Sequence, residues 1–160
     1  MHSLVEELSL QLAAHNMMLV SAESCTGGLI ASAITDRAGS SSIFDRGFIT
    51  YSNDSKMELL GVDEQTLINH GAVSEQTARE MAEGALSHSR AHIAVSVTGI
   101  AGPSGGTDQK PVGLVYIGIA ARNKITSVFK HNFDGDRTSI RQETLEQALN
   151  HLIAHFGKIA

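Results

Sequence analysis

Met17-Met18-Leu19-Val20-Ser21-Ala22-Glu23-Ser24-Cys25-Thr26-Gly27-Gly28 decides the fold. Its apolar first half, Met17–Ala22, reads as a short strand, and the paired glycines open a helix over Gly27–Arg37. A strand that feeds directly into a helix is the unit of an α/β protein. Upstream, Leu4, Val5, Leu8 and Leu12 recur at helical spacing. Ser3 with Glu6 three residues on forms a capping box, which predicts a helix over Ser3–Asn16. Downstream, Phe44–Tyr51 reads as a strand and Ser55–His70 as short helical pieces broken by Gly61. Ser74 caps a helix reaching about Ser89.

The Val-rich run Ala91–Thr98 reads as a buried strand that ends in the turn-forming Gly99–Thr107. Val112–Ala121 and Ile125–Phe133 flank Arg122-Asn123-Lys124 and read as a hairpin. After Asp134-Gly135-Asp136, the stripe Ile140, Leu145, Leu149, Leu152, Ile153 and Phe156 predicts a final helix. Alternating helices and strands imply a three-layer α/β/α sandwich, and the hairpin makes its mostly parallel sheet a mixed one. No repeat, low-complexity tract or linker divides residues 1–160, so one domain is expected.

The 160 residues carry 12 Lys and Arg against 17 Asp and Glu, a formal net charge of −5, with 42% hydrophobic residues and one Cys. A chain of this length supports its own core without disulfides or structural metal. Lone Cys25 closes no internal disulfide, and a cytoplasmic protein is expected. No Lys/Arg cluster supports phosphate-by-phosphate binding of nucleic acid. No apolar run approaches the ~20 residues that span a bilayer, and Glu6 and Glu7 stand where a signal peptide is basic. Neither nucleic acid nor membrane is an expected partner.

In an open α/β sheet, ligands bind where strands end and helices begin. Two loops have that character: Ser24-Cys25-Thr26-Gly27-Gly28, and Thr98-Gly99-Ile100-Ala101-Gly102-Pro103-Ser104-Gly105-Gly106. If their strands run parallel, both loops share one rim and their N–H groups can hold a phosphate. The alternative is that the glycines only make tight turns. Neither loop has the G-x-x-x-x-G-K-[ST] or G-x-G-x-x-G pattern, which removes the main support for ATPase or dinucleotide redox chemistry.

Of five lysines, four follow residue 109, leaving Lys56 alone in the first two-thirds of the chain. It follows the strand end Phe48–Tyr51 and points toward a rim, near Ser40-Ser41-Ser42 or a neighbouring loop. A lysine whose pKa is lowered by burial can take a serine's proton. The alternative is a solvated residue at a helix start. Cys25 at a helix N-terminus is either a stabilised thiolate or simple packing. His151 and His155, spaced i,i+4 without H-E-x-x-H, read as a mostly solvated helix face, and no metal site is expected. Glu23 reads as a substrate contact or a helix-dipole partner, Asp134 and Asp136 as turn and cap residues, and Arg137 as a phosphate ligand or a solvated arginine.

Ala22–Gly28, Ala38-Gly39-Ser40-Ser41, Arg46-Gly47-Phe48 with Tyr51-Ser52-Asn53 and Lys56, His70–Ser74, Gly99–Pro103 with Gly105-Gly106, and Lys110–Gly113 together resemble the competence-inducible CinA C-terminal family. The resemblance runs from about Leu4 to the last helix. It implies a CinA-like, anticodon-binding-domain-like α/β/α fold and hydrolysis of the carboxamide of nicotinamide mononucleotide to nicotinate mononucleotide and ammonia, without cofactor or metal. Some relatives carry the domain behind a larger N-terminal one, whereas this chain resembles the stand-alone form, and self-association into a dimer or higher homo-oligomer is expected.

Carried over residue by residue, Ser41 matches the nucleophile and Lys56 the base, with Tyr51 beside them. Ser24 and Thr98 match residues that polarise or orient the amide. Arg137, with Arg141 as the alternative, holds the substrate, and Glu23, Thr26, Gly27, Gly28, Gly99, Gly102 and Gly105 complete the binding rim. A non-catalytic nucleotide-sensing or protein-binding module using the same rim is the competing expectation.

Overall fold

The computed structural model describes residues 1–157, so Lys158 and the end of the expected 1–160 domain lie outside the described residues. In chain order the elements are α1 (His2–Ala14), β1 (Leu19–Glu23), α2 (Leu29–Thr35), a single 3-10 turn (Ser40–Ser42), β2 (Phe44–Ile49), α3 (Asn53–Leu60), α4 (Glu64–His70), α5 (Glu75–Ser87), β3 (Ile93–Gly99), β4 (Leu114–Ala121), β5 (Ser127–Asn132) and α6 (Arg137–Phe156). The sheet order is β2-β1-β3-β4-β5. β1 pairs in parallel with β2 and β3, while β4 is antiparallel to β3 and β5, so only β4 is reversed. The expected mixed sheet and its late hairpin are both present.

The central strands are buried on both faces and mostly apolar, but the two faces differ in size. Leu19, Ile93, Val95, Val97, Val115, Ile117 and Ile119 belong to the core shared with α1, α2 and α6. Alternate positions carry Val20, Ala22, Ala94 and Ala120 against Leu60, Met81, Ala82 and Ala85 on α3 and α5. The period-2 alternation therefore sorts large side chains to one layer and small ones to the other. The small face lets α5 lie close: Ser96 Oγ donates to Ala78 O at 2.6 Å, and a Cβ on Gly118 would sit 2.8 Å from the same carbonyl.

β1 to β2 crosses through α2, and β2 returns past β1 to β3 through α3, α4 and α5. Right-handed crossovers in opposite directions put those helices on opposite faces, which opens a crevice at the carboxyl ends of β1 and β3. The two glycine-rich loops do share one rim.

Several boundaries differ from the sequence reading. The Ser3–Glu6 capping box does not form: α1 begins at His2 after Met1, and Glu6 instead receives Arg37 Nε at 2.9 Å. α2 begins at Leu29 rather than Gly27, because Gly27 and Gly28 take positive φ (59° and 104°) in the turn before it. Ser74 and Asp136 cap α5 and α6 as expected, accepting from Thr77 N and Ser139 N.

Gly84 is where α5 meets the end of α3, and an added Cβ would lie 1.9 Å from Leu60 O. Backbone cannot yield as a side-chain tip does, so Gly84→Ala is expected to destabilise the fold by about 1–3 kcal/mol despite alanine's better helix propensity. Urea denaturation checks this, and unchanged or raised stability would contradict the close α3–α5 approach.

Candidate active site

A cleft of about 340 Å³ opens at the crevice, lined among others by Ser24, Tyr51, Asn53, Lys56, Thr98 and Arg137. That is within the size of small-molecule sites. Ser24 leaves the end of β1 and its N–H donates to Val97 O at 3.0 Å, which ties it to β3. Lys56 arrives from α3. Ser52 accepts from Ser55 N and Ser55 Oγ from Ser52 N, a reciprocal cap that starts the helix so that Lys56, one turn in, faces the interior.

Lys56 is 1% exposed, which excludes the solvated helix-start reading. Its Nζ lies 3.1 Å from Ser24 Oγ and donates to Thr50 O at 2.9 Å. Both partners are neutral oxygens, so no carboxylate compensates the lost hydration of an ammonium. Burial accordingly pushes the Lys56 pKa below the ordinary lysine value. Between the folded value and the ordinary one the unfolded chain holds the extra proton, so stability rises with pH across that window. A free amine 3.1 Å from a hydroxyl is placed to take its proton.

The first glycine-rich loop is built differently from the expectation. Glu23, 1% exposed, turns its carboxylate under the start of α2 and accepts from Thr26 Oγ1 (2.7 Å), Gly28 N (3.0 Å), Ile30 N (3.1 Å), Ala31 N (2.9 Å) and Ser21 Oγ (3.2 Å). A side chain so occupied is a helix cap, not a substrate ligand, and it takes the N–H groups a phosphate would need. Thr26 and Gly28 serve this cap, Gly27 N donates to Ser24 O, and none of the three lines the cleft. Arg141 Nε and NH2 fix the loop from outside by donating to Cys25 O and Thr26 O, at 3.1 and 2.9 Å.

The second loop remains available to a ligand. Gly99, Gly102 and Gly105 line the cleft, and among the described residues the N–H groups of Gly102, Ser104 and Gly105 have no protein acceptor. Gly99 has no room for a side chain, since a Cβ would come within 2.5 Å of Val115 Cγ2. Thr98 Oγ1 donates to Ala72 O at 2.7 Å, so its proton is committed and it faces a ligand as an acceptor. Arg137 crosses the rim, donating through NH1 to Gly102 O (2.9 Å) and through NH2 to Tyr51 Oη (3.0 Å). Of the two arginines, it is Arg137 that lines the cleft.

A family model, the CinA C-terminal domain, matches residues 1–156. The chain belongs to this family. It is 51% identical to the nicotinamide-nucleotide amidohydrolase PncC of Enterobacter agglomerans over 99% of this chain and 96% of that protein. A competence-damage inducible protein of Caldicellulosiruptor bescii is 58% identical over 92% of this chain, which spans 36% of that relative's length. In structure it is similar to the competence/damage inducible protein CihA of Agrobacterium tumefaciens, with a TM-score of 0.93 and 51% identity, covering 96% of this chain and 93% of the other.

Within this CinA domain, the serine beside the lysine is Ser24, not Ser41. Ser41 is exposed on the 3-10 turn before β2, where Ile43 O receives Leu19 N at the start of β1. Lys56 sits past the other end of these parallel strands, so the sheet's length, roughly 15–20 Å at about 3.3 Å per residue, separates them. Ser41 precedes β2 in the chain and Lys56 follows it, so the strand itself holds the two apart. Asn53 and Ser104, which also line the cleft, went unassigned because their neighbours read as turn residues.

Cys25 lines the cleft but is no thiolate. The helix N–H groups that would stabilise one are bound to Glu23, and burial pushes the thiol up to about 11. His151 is not simply solvated: its ring stacks on Phe129 at 3.8 Å and its Nε2 lies 2.9 Å from His131 Nε2. Among the described residues, no group of three or more His, Cys, Asp or Glu side chains is placed to hold a metal ion, and no helix is long and apolar enough to cross a membrane.

At pH 8 a thiol titrating near 11 is ionised on the order of one part in a thousand. Alkylation of the native protein by iodoacetamide is therefore expected to be far slower than in urea and to accelerate only at strongly alkaline pH. Rapid labelling of native Cys25 at pH 8 would contradict the assignment of the helix N-terminus to Glu23.

Proposed function

We propose that the chain hydrolyses the carboxamide of nicotinamide mononucleotide to nicotinate mononucleotide and ammonia, with Ser24 as nucleophile and Lys56 as general base. The observation that carries this reading is the buried 3.1 Å approach of Lys56 Nζ to Ser24 Oγ in the cleft. The amidohydrolase name of a relative matched over nearly its whole length supplies the substrate class.

An amide is a weak electrophile, so the nucleophile needs a base and the developing charge needs donors. Ser24 Oγ attacks the carboxamide carbon as its proton passes to Lys56 Nζ. The tetrahedral oxyanion is stabilised by backbone N–H groups of the rim and by the ammonium just formed. The C–N bond then breaks, Lys56 returns the proton to the departing nitrogen, and ammonia leaves. Water attacks the resulting Ser24 ester, Lys56 takes its proton and hands it back to Ser24 Oγ, and the acid is released. The cationic pyridinium ring of the substrate works with burial to keep Lys56 unprotonated. Thr98, its own hydrogen engaged by Ala72 O, accepts from the amide NH2 and so orients the scissile group. Arg137 and the open N–H groups of the second loop receive the 5′-phosphate.

Ser24→Ala and Lys56→Ala are expected to lower ammonia release by at least about a thousandfold while leaving the circular dichroism spectrum native, whereas Ser41→Ala stays within about twofold of wild type. Loss of activity in Ser41→Ala with retention in Ser24→Ala would overturn the assignment. Saturable binding of the nucleotide by a folded wild type without turnover would instead support a sensing module.

Arg137→Ala is expected to reduce kcat/KM for the mononucleotide by roughly 10–100-fold and to leave that for the phosphate-free riboside nearly unchanged. Equal losses on the two substrates would remove Arg137 from the phosphate site.

A further inference from the structure

Thr50, between β2 and α3, is fully buried, and its Oγ1 is the one buried side-chain N or O atom among the described residues that has no hydrogen-bond partner. A buried hydroxyl without a partner is costly and rarely kept without a role. The backbone of the same residue is fully engaged. Its N–H donates to Glu23 O at 2.8 Å, and its carbonyl receives Lys56 Nζ at 2.9 Å.

Lys56 carries the matching deficit. As the free base required by the reaction, its amine has one lone pair and two hydrogens. The lone pair faces Ser24 Oγ and one hydrogen goes to Thr50 O, which leaves the second without a protein acceptor. The two unmet groups are neighbours, because Thr50 Oγ1 and the carbonyl that holds Lys56 belong to one residue. No hydrogen bond joins Lys56 Nζ to Thr50 Oγ1 directly. A single water with a donor on one side and a hydroxyl on the other satisfies both.

We propose that Thr50 is a positioning residue for the Ser24–Lys56 reaction: its hydroxyl and the Lys56 amine share one buried water, which fixes the amine so that its lone pair stays on Ser24 Oγ. This inference rests on the reading of Lys56 as the general base. Without the water the amine can rotate about its terminal C–N bond and turn a hydrogen toward Ser24, an arrangement in which no proton can be taken. Cys25 and Tyr51, which line the same cleft, offer nothing that replaces it: the thiol is neutral and the phenol is engaged by Arg137. Glu23 is occupied by the start of α2.

The test uses the full chain with Thr50→Val, which keeps the shape and removes the hydroxyl, and Thr50→Ser, which keeps the hydroxyl. The expected result is a loss of about tenfold or more in kcat for the valine variant with KM unchanged, restored by serine. A high-resolution crystal structure of the wild type should also carry a water within hydrogen-bond distance of both Thr50 Oγ1 and Lys56 Nζ. A valine variant with wild-type kcat and a raised melting temperature overturns the proposal, as does a crystal structure with no water there. The crystallographic result decides the matter even if the valine variant fails to fold. Lys56→Ala run alongside separates the two levels. If it is inactive while Thr50→Val is fully active, only the role of Thr50 falls. If Lys56→Ala retains turnover, the base assignment falls and Thr50 has nothing to position.

Discussion

The site depends on one desolvated amine. Lys56 is buried with two neutral oxygens as its partners, and with no carboxylate to compensate an ammonium it is suited to the proposed role of base and not to that of a structural cation. Had a carboxylate stood where Thr50 O stands, the same burial would have produced a charged pair with no affinity for the Ser24 proton. The nearest buried acid, Glu23, is kept out of that role by five hydrogen bonds around the start of α2. One carboxylate thus shapes the Ser24 loop and is kept from pairing with Lys56.

The sheet brings these groups together without any of them being close in sequence. β1 delivers Ser24, β3 delivers Thr98, and the opposite directions of the crossovers leave a crevice between those strand ends into which α3 inserts Lys56. The small residues on the face beneath α5 matter here as well. Gly84 allows α5 to lie against the end of α3, and α3 carries Lys56. The close approach at Gly84 thus packs the helix that carries Lys56 against α5.

The strand-to-helix alternation and the period-2 pattern in Ala91–Thr98 were sufficient to read the layers, the mixed sheet and the cap residues Ser74 and Asp136 from the sequence, because these follow from local patterning. The isolation of Lys56 among the lysines also singled out a side chain that the fold buries beside Ser24. What periodicity could not provide was the end of the sheet at which each serine lies. Ser24 and Ser41 both flank strands, and only the parallel register of β1 with β2 separates them. Glu23 was equally ambiguous, since a carboxylate before two glycines serves a ligand or a helix start depending on which way the chain turns. Whether Thr98 would polarise or orient was not legible either, because its hydrogen goes to Ala72 O, which is 26 residues distant in sequence.

The protonation of Lys56 can be measured directly. In protein labelled with 15N-lysine, the Nζ resonance of Lys56, assigned by comparison with Lys56→Arg, is to be followed through a pH titration of the ligand-free chain. A midpoint clearly below that of the exposed lysines, with the shift lost on unfolding in urea, is the predicted result. A midpoint at or above theirs would mean that Lys56 is a buried ammonium at neutral pH and would contradict its role as the base for Ser24.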